Sequence, residues 1–250
     1  MCLAKTKLKT ILLGSTRKRC FSKKFLASIL ESSKSKIMVK TSFKTQIQTL
    51  PSKYAEQLGN DFIASKEQKQ IASLGQYFTP QVIAELIAEN FSELKASKSI
   101  KILDPGAGTG ILSCVLCESI AKWKHKTDNI ELIVYEIDKS LVPILEKSLD
   151  HLRGWLKNKN ISLSFSINDS DFVLENADIL NKTLQQSLFD RKDFEEFDFI
   201  VANPPYFKIS KSDPRAKAAS TVIHGQPNIY AIFMAIAAAL LKEKGQLGFI

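Results

Sequence analysis

Residues 99–114 read SIKILDPGAGTGILSC, and this stretch decides the fold class. Its first five residues predict a short buried strand, DPGAGTG at 104–110 predicts a tight turn, and the apolar run from Ile111 predicts a helix. The same alternation continues along the chain, with further strands predicted at 130–135, 161–167 and 197–202 and from residue 245. Strands that alternate with helices in this way predict an α/β fold with a doubly wound parallel sheet.

The helices predicted around these strands differ in polarity. A polar helix is expected at 52–74, and Thr79 is expected to cap the next helix, with Pro80 in its first position. Asp138 is the expected N-cap of a helix at 139–156. The segment 228–241 is almost uniformly apolar, so we expect a buried helix there.

The composition suits one globular domain preceded by a basic segment. The 250 residues are 44% hydrophobic and 24% charged, which is enough for a sizeable core. Residues 1–50 hold 12 of the 35 lysines and arginines and one of the 26 acidic residues, so the net charge of +9 belongs to this segment. Three interpretations stay open: a phosphate-binding arm, a flexible solvated tail, or an organellar transit peptide, which the excess of lysine over arginine disfavours.

No stretch of the sequence approaches the roughly 18 consecutive apolar residues that a membrane span needs. The four cysteines form no disulfide framework, which indicates a reducing compartment, so we expect a cytoplasmic protein without a membrane partner. Cys114 and Cys117 have the spacing of zinc ligands, but they lie on a predicted apolar helix and no second pair follows. We therefore predict core cysteines and no metal.

The turn at 104–110 is rich in glycine but matches neither of the common phosphate-binding signatures. The dinucleotide fingerprint would need a third glycine at the position of Ile111, and no Gly-Lys-Ser/Thr ending follows as in a P-loop. Asp104 at the start of the turn disfavours a polyanion and favours a cationic or amino-bearing ligand. S-adenosylmethionine carries a sulfonium and an α-amino group and fits this requirement; a purely structural turn is the alternative.

Acidic residues follow the second and third predicted strands. Glu136 ends the second strand, where a carboxylate can accept hydrogen bonds from both hydroxyl groups of a ribose. After the third strand, Asp171 can accept a hydrogen bond from the amino group of an adenine, and Phe172 can lie against its ring. Asp178 competes with Asp171 for this role, and Asp169 and Asp171 are also typical turn formers.

The fourth predicted strand ends in Asn203-Pro204-Pro205-Tyr206. Proline has no N–H group and stiffens the chain, so this turn offers acceptors and few donors. Its carbonyl groups and the amide oxygen of Asn203 suit an exocyclic amino group, whose lone pair they would orient towards a methyl donor. Tyr206 offers a face on which an extruded base can stack, and a capped turn with a packing tyrosine is the alternative.

Taken together, DPGAGTG, the acid after the second strand and NPPY after the fourth resemble the S-adenosylmethionine-dependent amino-methyltransferases. GQYFTP at 75–80 resembles the N-terminal cofactor motif of gamma-class DNA adenine-N6 methyltransferases, which include type I modification subunits and type IIG restriction-modification enzymes. HGQPNIYAIFM at 224–234 is similar to the segment that follows NPPY in this family. The resemblance covers about residues 70–250. It implies a Rossmann-like methyltransferase fold, S-adenosylmethionine as cofactor, and double-stranded DNA with a flipped-out target adenine as substrate.

The resemblance also implies roles for individual residues. The methionine end of the cofactor is expected against Phe78, Thr79 and Pro80. The rest of the cofactor is expected to be cradled by Asp104, Gly106 and Gly108, with Glu136 on its ribose and Asp171 and Phe172 at its adenine. The target adenine is expected at the catalytic group Asn203, Pro204, Pro205 and Tyr206.

Three regions follow from this resemblance: a basic segment at 1–50, a helical region with GQYFTP at 51–97, and a catalytic core at 98–250 that is incomplete at its C-terminal end. The family's fold has further strands and usually a target-recognition domain, so we expect a truncated, split or fragmentary chain that works with a missing portion or a separate specificity subunit. NPPY is shared with methyltransferases of ribosomal RNA guanine and of a release-factor glutamine. An inactive cofactor- or DNA-binding fragment is the non-enzymatic alternative.

Overall fold

The structure is a computed structural model that describes residues 49–65, 78–94, 98–180, 196–222 and 225–250. The predictions for residues 1–48 of the basic segment, for the end of the helix at 66–74, for 75–77 of GQYFTP and for position 224 lie outside the described residues. The described residues belong to one compact unit. They contain no helix long and apolar enough to cross a membrane.

A five-stranded sheet, parallel throughout, forms the centre of the molecule. Its strands are β1 (Ser99–Pro105), β2 (Asn129–Tyr135), β3 (Ser162–Asn168), β4 (Phe197–Ala202) and β5 (Leu241–Phe249), in the order β3-β2-β1-β4-β5. The predicted doubly wound α/β fold is therefore confirmed. The strand at residue 245 begins earlier than predicted, at Leu241, because Leu241 already pairs with Phe197 before an irregularity shifts the register.

The helices, in chain order, are α1 (Pro51–Ala64), α2 (Gln81–Glu89), α3 (Ile111–Ile120), α4 (Val142–Lys157), α5 (Phe172–Asn176), α6 (Pro214–Ala218) and α7 (Ile229–Ala239). Helix α1 ends at Ala64, and both the N–H and the hydroxyl of its C-cap Ser65 bond back to carbonyls of the last turn. Helix α7 buries one face through Ile232 and Ile236 and leaves Met234 exposed, so the predicted burial holds for one side only.

The sheet separates two hydrophobic cores because alternate residues of a strand point to opposite faces. Ile100 and Ile102 of β1 join the core under α1 to α4, whereas Leu103 joins the core under α5 to α7. In β4, Phe199 is fully buried in the first core, where its ring contacts those of Phe91 and Trp123 with centroids 5.5 Å apart. This three-layer packing fixes the strand ends that carry the loops.

Two predicted helix caps are wrong. Helix α2 begins at Gln81 with Pro80 as its N-cap, and the hydroxyl of Thr79 accepts a hydrogen bond from the side chain of Asn203 instead. Asp138 does not cap α4, which begins after Leu141, because its carboxylate accepts hydrogen bonds from the N–H and the hydroxyl of Ser140 in a local turn. Thr79 therefore contacts the loop after β4, and Asp138 forms a turn in the loop after β2.

The strand order reverses between β1 and β4, because the chain proceeds to β2 and β3 on one side and returns to β4 on the other. In open α/β sheets, a cleft forms beyond the carboxyl ends of the strands at such a switch point. The predicted stretches 104–110, 136–138 and 203–206 follow β1, β2 and β4 and lie around this point.

Candidate active site

A cavity of about 460 Å³ lies at the switch point of the sheet. Ten of the thirteen predicted site residues line it: Phe78, Gly106, Gly108, Glu136, Asp171, Phe172, Asn203, Pro204, Pro205 and Tyr206. Thr79, Pro80 and Asp104 are not in its wall, and neither is the competing acid Asp178. The cofactor and target residues predicted from separate motifs are therefore brought together in one space.

The glycine loop presents bare backbone to this cavity. Gly106, Gly108 and Gly110 have φ angles of 79°, 57° and 80°, which side chains other than hydrogen disfavour. A Cβ atom on Gly110 would come within 2.9 Å of Leu145, whereas one on Gly108 would meet no atom within 4 Å. Gly110 is thus needed for packing, and Gly108 leaves open space at the wall of the cavity.

Asp104 lies beneath the glycine loop and is completely buried. Its Oδ2 accepts a hydrogen bond of 2.6 Å from Ser113 Oγ, and its Oδ1 is buried without a hydrogen-bond partner among the described residues. Burial raises the pKa of this carboxyl to about 7, although the hydrogen bond from Ser113 lowers it. Asp104 is therefore buried at the start of the glycine loop and does not line the cavity.

Glu136 ties the glycine loop to the loop after β2. Its Oε2 accepts a hydrogen bond from the N–H of Gly108, and its Oε1 accepts one from the N–H of Asp138, both at 2.8 Å. Burial raises the pKa of this carboxyl, and the two backbone hydrogen bonds partly oppose that shift. Because a carboxylate offers about four acceptor positions, Glu136 can hold this geometry and still accept from a ligand.

Asp171 serves both as a helix cap and as part of the cavity wall. Its Oδ1 accepts hydrogen bonds from the N–H groups of Val173 and Leu174, which caps α5, and its Oδ2 lies 3.8 Å from Arg215 Nη1. Phe172 is buried against the ring of Phe233, with centroids 5.1 Å apart. Asp171 therefore caps a helix with one carboxylate oxygen and still lines the cavity, and its role at the adenine of the cofactor stays a prediction.

Arg215 is a cavity-lining residue that the sequence interpretation missed. Asp213 holds its guanidinium through hydrogen bonds of 2.9 Å from Nε and 2.8 Å from Nη2, and the guanidinium lies 5.8 Å from the centre of the Phe207 ring. The hydrogen bond from Arg215 lowers the pKa of Asp213 to about 2. The Asp-Pro pair at 213–214 is a helix-start signal that could have drawn attention to this arginine.

Asn203 is anchored from a distant part of the chain. Its Nδ2 donates a hydrogen bond of 3.0 Å to Thr79 Oγ1 just ahead of α2. With Nδ2 donating to Thr79, the amide oxygen is the acceptor of a side chain that lines the cavity. The predicted pairing of an amide acceptor with a donor-poor turn is consistent with this arrangement.

Tyr206 stands at the mouth of the cavity with 53% of its surface exposed. Its hydroxyl donates to the carbonyl of Ile250, and its ring stacks on that of Tyr230 with centroids 5.2 Å apart and planes 22° apart. Tyr230 covers one face of the Tyr206 ring and is not itself among the residues that line the cavity. An aromatic face is thus available to a flat ligand at the entrance.

Comparison with models of protein families identifies the family of this chain. The model of the Eco57I restriction-modification methylase matches residues 16–250. The chain belongs to this family. The type II methyltransferase M.BsuBI of Bacillus subtilis is 32% identical to this methylase over 73% of the chain and 34% of its own length.

Two further proteins are similar to this methylase. Ribosomal RNA small subunit methyltransferase A of Mesomycoplasma hyopneumoniae is 36% identical over 55% of the chain and 39% of its own length. A solved structure from Listeria monocytogenes, assigned to the class I S-adenosylmethionine-dependent methyltransferases, has a TM-score of 0.56 and 15% identity, covering 85% of this chain and 58% of its own. The chain spans little more than a third of the length of the two curated relatives.

The cavity of the methylase fits S-adenosylmethionine, and the family and the fold confirm that cofactor prediction. Gly108 offers a backbone cradle that a side chain would fill, and Ser170 Oγ next to Asp171 is buried without a hydrogen-bond partner among the described residues. Glu136 and Asp171 would supply acceptors for the hydroxyl and amino groups of the cofactor. Phe172 and Phe233 supply flat apolar walls.

The two central cysteines of the methylase belong to its core. Cys114 and Cys117 are completely buried in α3, and burial raises the pKa of both thiols. Within the described ranges, no group of three or more histidine, cysteine, aspartate or glutamate side chains could hold a metal ion.

Proposed function

We propose that this methylase moves a methyl group from S-adenosylmethionine to the exocyclic N6 of an adenine in double-stranded DNA, as part of a restriction-modification system. The observation that carries the proposal is that Asn203 and Gly108 line the same cavity. A target amino group at Asn203 and a cofactor at the glycine loop would therefore occupy one continuous space.

The cofactor side would be formed by Gly106, Gly108 and Glu136, with Asp171 and Phe172 at the far end and Phe78 across the cavity. When bound there, S-adenosylmethionine supplies a methyl group that is electrophilic because its carbon is attached to a positively charged sulfur. The buried carboxylate of Glu136 already accepts from Gly108, so the loop is held in shape before the cofactor binds.

The target side would be formed by Asn203, Pro204 and Tyr206. The amide oxygen of Asn203 and the carbonyl of Pro204 accept from the two N–H groups of the amino group, which leaves the nitrogen lone pair free to attack. The bond from nitrogen to the methyl carbon would form as the bond from sulfur to that carbon breaks, with its electron pair going to sulfur. S-adenosylhomocysteine would then be the leaving product, and the nitrogen would release one proton to solvent. Tyr206 stacks on the base that has been rotated out of the duplex, an interaction worth roughly 1–3 kcal/mol.

Sequence-specific binding is proposed to come from outside the described residues, because the chain spans about a third of M.BsuBI. A further portion of the same protein or a separate specificity subunit would recognise the DNA sequence. The likeness to a ribosomal RNA methyltransferase favours RNA as the second candidate substrate.

The test is transfer of a tritiated methyl group from S-adenosylmethionine to double-stranded DNA, ribosomal RNA and a protein extract, with wild type and N203A compared. We expect label in DNA, recovered as N6-methyl-2′-deoxyadenosine after digestion to nucleosides. N203A should lose transfer by roughly a hundredfold or more while it binds S-adenosylhomocysteine like wild type in calorimetry.

Label in RNA but not in DNA would replace the proposal with the second candidate. Cofactor binding without transfer to any substrate would indicate a binding fragment that needs a partner.

A further inference from the structure

The loop that carries Tyr206 provides few contacts that fix the orientation of its ring. Two prolines precede it, and proline offers no N–H group with which to anchor a loop. More than half of the side chain is exposed. The contacts of the Tyr206 side chain are therefore what orient the ring: the backbone carbonyl of Ile250 at its hydroxyl and the ring of Tyr230 at its face.

Tyr230 is itself held firmly in place. It lies in the first turn of α7, where its N–H donates a 3.0 Å hydrogen bond to the capping side chain of Asn228. The ring of Phe249 at the end of β5 meets the Tyr230 ring edge-on, with centroids 5.8 Å apart and planes at 83°. The N–H of Ile229 also donates to the carbonyl of Phe207, which joins the start of α7 to the loop of Tyr206.

We infer that Tyr230 is a positioning residue for the target base, acting through Tyr206. The ring of Tyr230 occupies one face of the Tyr206 ring, so a flat base can stack only on the other face of a residue that lines the cavity. The base, Tyr206 and Tyr230 then form a stack of three rings, and Phe249 packs edge-on against Tyr230. This inference rests on the proposed function for the identity of the base, but it concerns binding of the base and not transfer of the methyl group.

The test uses fluorescence of a single-stranded oligonucleotide that contains 2-aminopurine, titrated with the full chain in the presence of sinefungin, an unreactive analogue of the cofactor. Stacking on Tyr206 should quench the probe, and Y206A should remove the quenching. Y230L should weaken binding of the probe roughly three- to tenfold and reduce the quenching, whereas Y230F, which keeps the ring, should behave like wild type. Affinity for sinefungin should be equal in all variants, which also verifies that each is folded.

Tyr54 provides a matched control. It is a half-buried tyrosine whose ring contacts that of His151 at 4.4 Å, away from the cavity, so Y54L should leave quenching unchanged. Wild-type quenching in Y230L, a defect in Y230F equal to that of Y230L, or a defect in Y54L equal to that of Y230L would each overturn the inference. The expected quenching pattern without methylation of DNA by wild type would refute the proposed function alone, and methylation with an unaffected Y230L would refute the inference alone.

Discussion

On the glycine-loop side of the cavity, support comes from the loop's own stretch and the next strand, whereas on the Asn203 side it comes from remote parts of the chain. Asp104 lies directly below the loop, and Glu136 bonds to Gly108 across 28 positions of sequence. Asn203 bonds to Thr79 across 124 positions, and Tyr206 stacks on the start of α7.

This difference predicts which substitutions impair each side of the cavity. A loop shaped by backbone angles and a buried carboxyl is sensitive to changes within itself. A turn rich in proline and exposed aromatic rings is sensitive to loss of the distant groups that orient it. Four substitutions test the contrast, two at the glycine loop, one at Thr79 and one at the arginine that touches both sides.

The largest expected effect is on the pH dependence of stability and concerns Asp104. Its pKa is about 7 in the folded chain, against a reference value of 3.8. Between these two values the folded state keeps a proton that the unfolded state releases. The contribution of the protonated Asp104 to the free energy of unfolding is therefore full below about pH 4 and is lost as the pH rises to about 7, and the loss is up to about 4 kcal/mol. We expect D104N to remove this part of the pH dependence. The free energy of unfolding of D104N minus that of wild type should therefore be larger at pH 8 than at pH 5.

Urea unfolding at several pH values measures this effect. D150N, which changes an exposed aspartate paired with Arg153, is the control and should follow wild type. Parallel curves for wild type and D104N would show that the carboxyl under the loop does not titrate in this range.

The second effect concerns the space beside Gly108. The φ angle of 57° disfavours a side chain, and a valine would project into the cavity. We expect G108V to weaken binding of S-adenosylhomocysteine roughly a hundredfold, through strain and steric exclusion together. Calorimetry measures this, with G154A as control because a Cβ at Gly154 in α4 meets nothing within 4 Å. Equal affinities for G108V and G154A would remove the glycine loop from the cofactor site.

The third effect separates the two sides most directly. T79V removes the hydroxyl that accepts from Asn203, and we expect the rate of methyl transfer to fall about tenfold because the amide loses its orientation. Affinity for S-adenosylhomocysteine should change less than about twofold. T79S keeps the hydroxyl and should restore the rate. A loss of cofactor affinity as large as the loss of rate would place Thr79 on the cofactor side.

The smallest effect belongs to Arg215, which is 3.8 Å from Asp171 on one side and faces the Phe207 ring on the other. We expect R215M to weaken cofactor binding about three- to fivefold, since the guanidinium is partly exposed and the pair is screened by water. R153M changes an arginine in an exposed ion pair on α4 and should have no effect. Equal calorimetric curves for both variants would restrict Arg215 to the stability of α6.

Sequence periodicity was sufficient for the sheet, because strands buried on both faces produce short apolar runs that are easily recognised. The same patterns placed the loops of Gly108, Glu136 and Asn203 at strand ends, and a parallel sheet brings such ends together. The prediction for the glycine-loop side therefore needed only local reasoning.

The errors share a different physical origin. Thr79 and Asp138 were predicted as helix caps because their residue types favour that role, but tertiary and turn contacts took their side chains elsewhere. The position of Arg215 beside the cavity escaped notice because it depends on the approach to Asp171, which lies 44 positions away in the sequence, whereas its bonds to Asp213 are local. Asp104 was expected in the cavity wall, and nothing in its local sequence shows that it faces inward.

The hydrogen bond between Asn203 and Thr79 has a practical consequence for spectroscopy. An amide proton held by a hydroxyl has its own chemical shift, so a chain labelled with ¹⁵N at asparagine carries a resonance that reports on the target side. Titrating nucleosides while following that single peak would show occupancy of the cavity without a radioactive donor. The T79V chain would identify the signal by its displacement.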